Sequence, residues 1–150
     1  MRRDRRAVKT MAAVVRIRQI EQQAAEASLQ RAAVARGDAE ARLEAACAEQ
    51  ASCEEAWLGA VNAAQLDLQL SRALGASVTT ALAVAASRQD DLKSADAGRA
   101  VAADALGGAQ SRLKAASSVA DALARRVRRR ADEDRLAESA ERTASRWSRA

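Results

Sequence analysis

Residues 8–64 read VKTMAAVVRIRQIEQQAAEASLQRAAVARGDAEARLEAACAEQASCEEAWLGAVNAA, and their spacing decides the fold. Every seventh residue from Val8 gives Val8, Val15, Gln22, Leu29, Arg36, Leu43, Gln50, Trp57 and Ala64. Three places further on lie Met11, Arg18, Ala25, Ala32, Ala39, Ala46, Cys53 and Ala60. One row holds most of the large side chains and the other mostly small ones, and together they form a heptad seam. Past Asp67 the seam fades. Leu74-Gly75 reads as a helix end, and Ser77, Thr79 and Thr80 offer caps for a new helix. The same two rows then resume. Leu92, Arg99, Leu106, Leu113, Ala120 and Val127 form one; Ala95, Ala102, Ala109, Ala116 and Leu123 form the other.

Two heptad arms around a mid-chain break predict an all-α fold: a long antiparallel two-helix coiled-coil hairpin spanning residues 1–150 as a single domain. The expected turn lies near residues 75–80, with helix 1 over about 5–74 and helix 2 over about 79–147. Folding about residue 78 gives facing residues whose numbers total 155 or 156. Leu43 is then expected to meet Leu113, Leu29 to meet Val127, and Trp57 to lie beside Gly98 and Arg99. Trp147 is expected to cover Val8 at the open end. The glycines at Gly37, Gly98, Gly107 and Gly108 weaken a helix interior. A break at Gly107-Gly108 keeps a three-helix alternative open.

Composition agrees with an elongated helical chain. The 150 residues include no Pro, Phe, Tyr or His and six Gly. Alanine dominates the apolar residues and buries little area each, so a compact globule lacks the side chains to offset its chain entropy. No apolar run is expected to approach the roughly 18 residues of a membrane helix. The basic start, Met1 to Arg6, is like the opening of a signal peptide, but the apolar stretch that follows stops at Arg16. An arginine-rich organelle transit segment is the alternative reading of that start. Cys47 and Cys53 are six residues apart and point in different directions on one helix, so they cannot pair locally. Unpaired thiols suit a reducing compartment.

No catalytic, metal or cofactor site is expected. The chain has no His for proton transfer, no phosphate-binding glycine loop and no Cys-x-x-Cys pair. Charge is instead segregated. Residues 1–18 carry seven basic residues and one acid, residues 19–124 nine and fourteen, and residues 125–150 nine and five. A hairpin brings both basic segments to one end. From Ala56 to Gln89 only Asp67, Arg72 and Arg88 are charged, and Leu66, Leu68 and Leu70 sit off the seam. Exposed apolar clusters of that kind mark partner surfaces, or else fill space where helices splay at a turn. The arginines also provide a footprint for nucleic acid, but stacking aromatics other than Trp57 and Trp147 are missing, and Asp132-Glu133-Asp134 follows the arginine run directly.

Two stretches and the overall plan resemble a known family. Val14-Val15-Arg16-Ile17-Arg18-Gln19-Ile20-Glu21-Gln22-Gln23-Ala24-Ala25 follows a basic opening. Arg128-Arg129-Arg130-Ala131-Asp132-Glu133-Asp134-Arg135-Leu136 comes late, with a Trp near the C-terminus. In these features the chain resembles the central-stalk proteins of type III secretion ATPases, the FliJ/YscO/HrpO kind. The resemblance implies a non-catalytic stalk or adaptor, without cofactor, at the cytoplasmic face of a bacterial secretion apparatus. Its partners would be the hexameric secretion ATPase, the cytoplasmic domain of the export gate and secretion chaperones, with no membrane insertion. On that reading Arg5, Arg6, Lys9, Arg16, Arg18, Arg125, Arg126, Arg128, Arg129 and Arg130 bind the ATPase ring. Leu66, Leu68, Leu70, Leu74 and Leu82 form the surface for the export gate. A nucleic-acid-binding coiled coil and a general helical chaperone or adaptor are the alternatives.

Overall fold

The computed structural model describes the backbone of residues 2–147, and the side chains of residues 6–145 and of Trp147. Two helices, α1 (Arg2–Val61) and α2 (Leu68–Trp147), pack antiparallel as a helical hairpin. Alanine, arginine, leucine, glutamate and glutamine, which dominate both, have the highest helix propensities. No described residue has positive φ. Gly37, Gly98, Gly107 and Gly108 are therefore ordinary helical residues, and α2 runs through Gly107-Gly108 unbroken. The three-helix alternative is excluded.

The turn lies at residues 62–67, about twelve residues before its expected place. Asp67 creates it. Its Oδ1 accepts hydrogen bonds from the backbone N–H of Gln69 (2.9 Å) and Leu70 (3.1 Å), which satisfies two of the free donors at the start of α2. At Gly75 the helix continues. The hydroxyls of Ser77, Thr79 and Thr80 do not cap a new helix. They donate to the carbonyls of Ala73, Gly75 and Ala76, four residues back inside α2.

The chain divides into two compact units. One comprises residues 1–25 and 106–150, the other residues 26–105. Within the second, Arg36 Nε donates to Asp96 Oδ1 at 3.0 Å, and the Trp57 indole nitrogen lies 3.5 Å from where a Gly75 Cβ would stand. Within the first, Arg112 approaches Glu21 at 3.9 Å. Facing numbers thus total 132 or 133, where the sequence reading expected 155 or 156. This corrects the expected pairings. Leu43 comes level with residue 89 or 90 rather than Leu113, and Leu29 with residue 103 or 104 rather than Val127. Trp57 packs at Gly75, while Gly98 has open space around it. Trp147 is 81% exposed and covers nothing at Val8.

The two rows themselves are in place. Along α1 every described seat of both rows from Val8 to Cys53 is at least half-buried, with exposed residues filling most positions between. On α2 the same holds from Leu92 to Val127 except at Arg99, and the seam extends back through Arg88, Ala85, Ala81, Val78, Leu74 and Ser71. Among the described residues the buried ones are all alanines: Ala39, Ala81, Ala85, Ala102 and Ala109. In the observed register the alanine seats meet both kinds of neighbour: Ala39 comes level with residues 93 and 94, between the seats Leu92 and Ala95, and Ala85 with residues 47 and 48, beside Ala46. Small seats along the seam let two helix backbones approach closely.

One further expectation changes. α2 contains an 18-residue window of mean hydropathy 1.2, long and apolar enough by composition to cross a membrane. The charge-free run 73–87 lies in this helix, and its Ala81 and Ala85 are packed in the seam.

Candidate partner-binding surfaces

The basic surface is built by the register within the unit of residues 1–25 and 106–150. Arg6 comes level with Arg126, so the start of α1 lies beside the arginine run of α2. Residues 1–9 and 125–131 together hold ten basic residues and one acid, Asp4. Arg6, Lys9, Arg16, Arg125, Arg126, Arg128, Arg129 and Arg130 are exposed. The Arg5 side chain lies outside the described ones. Like charges brought side by side repel, and a polyanionic or acidic partner relieves that repulsion.

Arg18 has a different place from the rest of its set. It occupies a half-buried seam seat and grips Glu21 at 2.7 Å, and Glu21 also faces Arg112. Arg36 behaves similarly in the other unit, donating to Asp96 across the seam and to Glu40 at 2.6 Å on its own helix. The hydrogen bond to Asp96, then the charge of Glu40, raises its pKa above the ordinary arginine value. Arg36 thus ties α1 to α2, while the charge of Arg18 is answered by Glu21 within α1.

The apolar surface gathers at the turn. Leu66, Leu68, Leu70 and Leu82 are exposed, whereas Leu74 is half-buried in the seam. The end of α1 adds exposed Trp57, Leu58 and Val61, which lie outside the expected surface because α1 ends more than three turns before its expected end near residue 74. The signal that places them is Asn62 and Asp67 bracketing a short loop, with Asp67 positioned to cap. Only Asp67 among residues 56–71 is charged, and its side chain is engaged as the cap.

A shallow open groove in the same unit is lined by Ala46, Glu49, Cys53, Ser77, Thr80 and Val84, among others. The Cys53 thiol is half-buried there and donates to Glu49 Oε1 at 3.8 Å. Burial, then the neighbouring Glu49 charge, pushes its pKa up, which disfavours the nucleophilic thiolate. Cys47 is exposed. Among the described residues no group of three or more His, Cys, Asp or Glu is placed to hold a metal ion.

Comparison with protein-family models, curated proteins and solved structures finds no match to this chain.

Proposed function

We propose that this hairpin is a non-catalytic stalk or adaptor of a type III protein secretion system, acting at the cytoplasmic face of the apparatus. It joins the hexameric secretion ATPase to the export gate and organises the traffic of secretion chaperones between them. One observation carries the two-partner reading. The chain presents a predominantly basic surface, with Arg6, Lys9, Arg16 and the arginines of residues 125–130 exposed, and a nearly uncharged apolar turn. Two surfaces of such different chemistry suit two different partners. The secretion system itself enters through the resemblance of residues 14–25 and 128–136 to the stalk family. Arginines on long stems with several donors suit dispersed contacts inside a ring pore, where one fixed pairing would resist movement. Leu66, Leu68 and Leu70, with Trp57 and Leu58, are assigned to the gate.

The test reverses Arg6, Arg16, Arg125 and Arg126 to Glu. All four side chains are exposed, so helicity should stay unchanged while binding to the ATPase ring is lost, and binding of the unmodified chain should weaken as salt rises. Binding to the gate domain should persist in that variant and fail in Leu68→Asp/Leu70→Asp. Unchanged stimulation of the ATPase after the reversal refutes the assignment. Tight, salt-sensitive binding of the unmodified chain to duplex DNA, with no ATPase binding, favours the nucleic-acid reading instead.

A further inference from the structure

Near the turn, α2 carries an apolar stretch that the seam does not absorb. Residues 73–87, between Arg72 and Arg88, hold no charge over roughly 22 Å of helix. Only 11% of the 18-residue window of mean hydropathy 1.2 in this helix is buried, whereas the core helix of a globule is mostly buried. The larger apolar side chains leave α2 on both flanks. Leu68 and Leu82, two heptads apart, lie on one side; Leu70 and Val84, also two heptads apart, lie about 160° around from them. All four are exposed. Ala73, Ala76, Thr80, Ala83 and Ser87, exposed as well, fill the side between them, opposite the seam.

The hydroxyls of this stretch are satisfied within the helix. Those of Ser77, Thr79 and Thr80 donate to the carbonyls of Ala73, Gly75 and Ala76 at 3.0–3.2 Å. Asp67, at the start of α2, is engaged by two backbone amides. Polar groups paired in this way lose little when water is withdrawn from around them. Acidic charge is carried by the other helix. Glu44, Glu49, Glu54 and Glu55 of α1 run alongside, level with residues 77–89, in the same compact unit. We propose that α2 from Leu68 to Ser87 docks on a lipid bilayer, lying in its interface with α1 turned toward water.

A groove on a protein would cover one side of α2. A helix sunk about 5–10 Å into the boundary between headgroups and acyl chains is covered on both flanks and between them. That suits Leu68 with Leu82 on one flank and Leu70 with Val84 on the other. A helix is about 10–12 Å across with its side chains, so this depth takes in α2 and leaves the glutamates of α1 in water. Spanning would draw those four carboxylates into hydrocarbon, so α2 lies in the interface instead. Arg72, exposed at one end of the uncharged run, reaches the headgroups on its long stem. Neutral lipid suffices, because apolar burial drives the contact and the glutamates oppose an anionic surface. This inference does not rest on the secretion reading. It claims Leu68 and Leu70 for lipid, so lipid and a gate domain exclude one another there.

Co-sedimentation of the full chain with phosphatidylcholine vesicles tests the docking with no protein partner present. The chain should bind, and binding should persist at high salt, since screening weakens contacts between charges and not apolar burial. Leu82→Glu/Val84→Glu changes two exposed positions and leaves Leu68 and Leu70 in place. It should weaken vesicle binding by about a hundredfold while helicity is retained. A polarity-sensitive fluorophore on Ala83→Cys, in a Cys47→Ser/Cys53→Ser background, should brighten when vesicles are added. The same label on Glu55→Cys, on α1, should not. A chain that stays in solution with neutral vesicles overturns the proposal. So does binding that high salt abolishes, binding that the double glutamate variant retains in full, or labels at the two positions that respond alike.

Discussion

Ala109 and Ala140 are the same residue on the same helix, as are Arg112 and Arg129, yet their surroundings differ. Ala109 is 2% exposed and sits where α1 crosses it, while Ala140 lies beyond the start of α1 with nothing of the described chain beside it. Arg112 faces Glu21 across the seam, whereas Arg129 stands in a run of like charge on an open face. Residue type sets what each side chain can do. The presence of a second helix decides whether it becomes core, register pin or contact surface.

Adding bulk at the two alanines tests that contrast most severely. Ala109→Leu should force the helices apart and destabilise the hairpin by about 1–3 kcal/mol in a chemical denaturation series. Ala140→Leu, measured in dilute protein, should change stability by no more than about 0.5 kcal/mol in either direction. Equal effects at both sites would mean that α2 is packed on both stretches alike.

A smaller loss should come from the cap. Asp67→Ala removes the acceptor for Gln69 and Leu70 and should cost about 1 kcal/mol, read as a lower thermal midpoint, whereas Asp67→Asn keeps most of it. A loss confined to thermal stability, with helicity retained at low temperature, sharpens the view that the cap selects the turn while the seam carries the fold.

The smallest effect concerns the thiols. Exposed Cys47 should react readily with a maleimide, while Cys53 should react slowly and gain rate only at higher pH than an ordinary cysteine thiol. The sign follows from the raised pKa: the neutral thiol is favoured in the folded chain, so less thiolate is present at any pH below it. Glu49→Gln should move that rise back toward lower pH, and unfolding in urea should make the two cysteines alike.

Much of the fold is legible in the residues. The helical state follows from propensity, and both rows of the seam, from Val8 to Cys53 and from Leu92 to Val127, follow from a spacing of three and four. The candidate surfaces were partly legible too. The exposed arginines are where charge segregation put them, but Arg18, grouped with them for its charge although it is also a seat of the seam row, is half-buried and held by Glu21. Trp57, Leu58 and Val61 were missed because their exposure depends on where α1 stops. What the tertiary structure alone decided is the register, and with it the turn, the partners of every seam seat and the unpaired end of α2. The physical reason is the repeat itself. Two heptad rows slid past one another still present seam to seam, and alanine seats accept either a large or a small neighbour. Local periodicity is therefore the same in many registers. Leu74-Gly75 resembles a helix end when read locally, yet it continues as helix because Trp57 packs against it and Asp67 has already started α2.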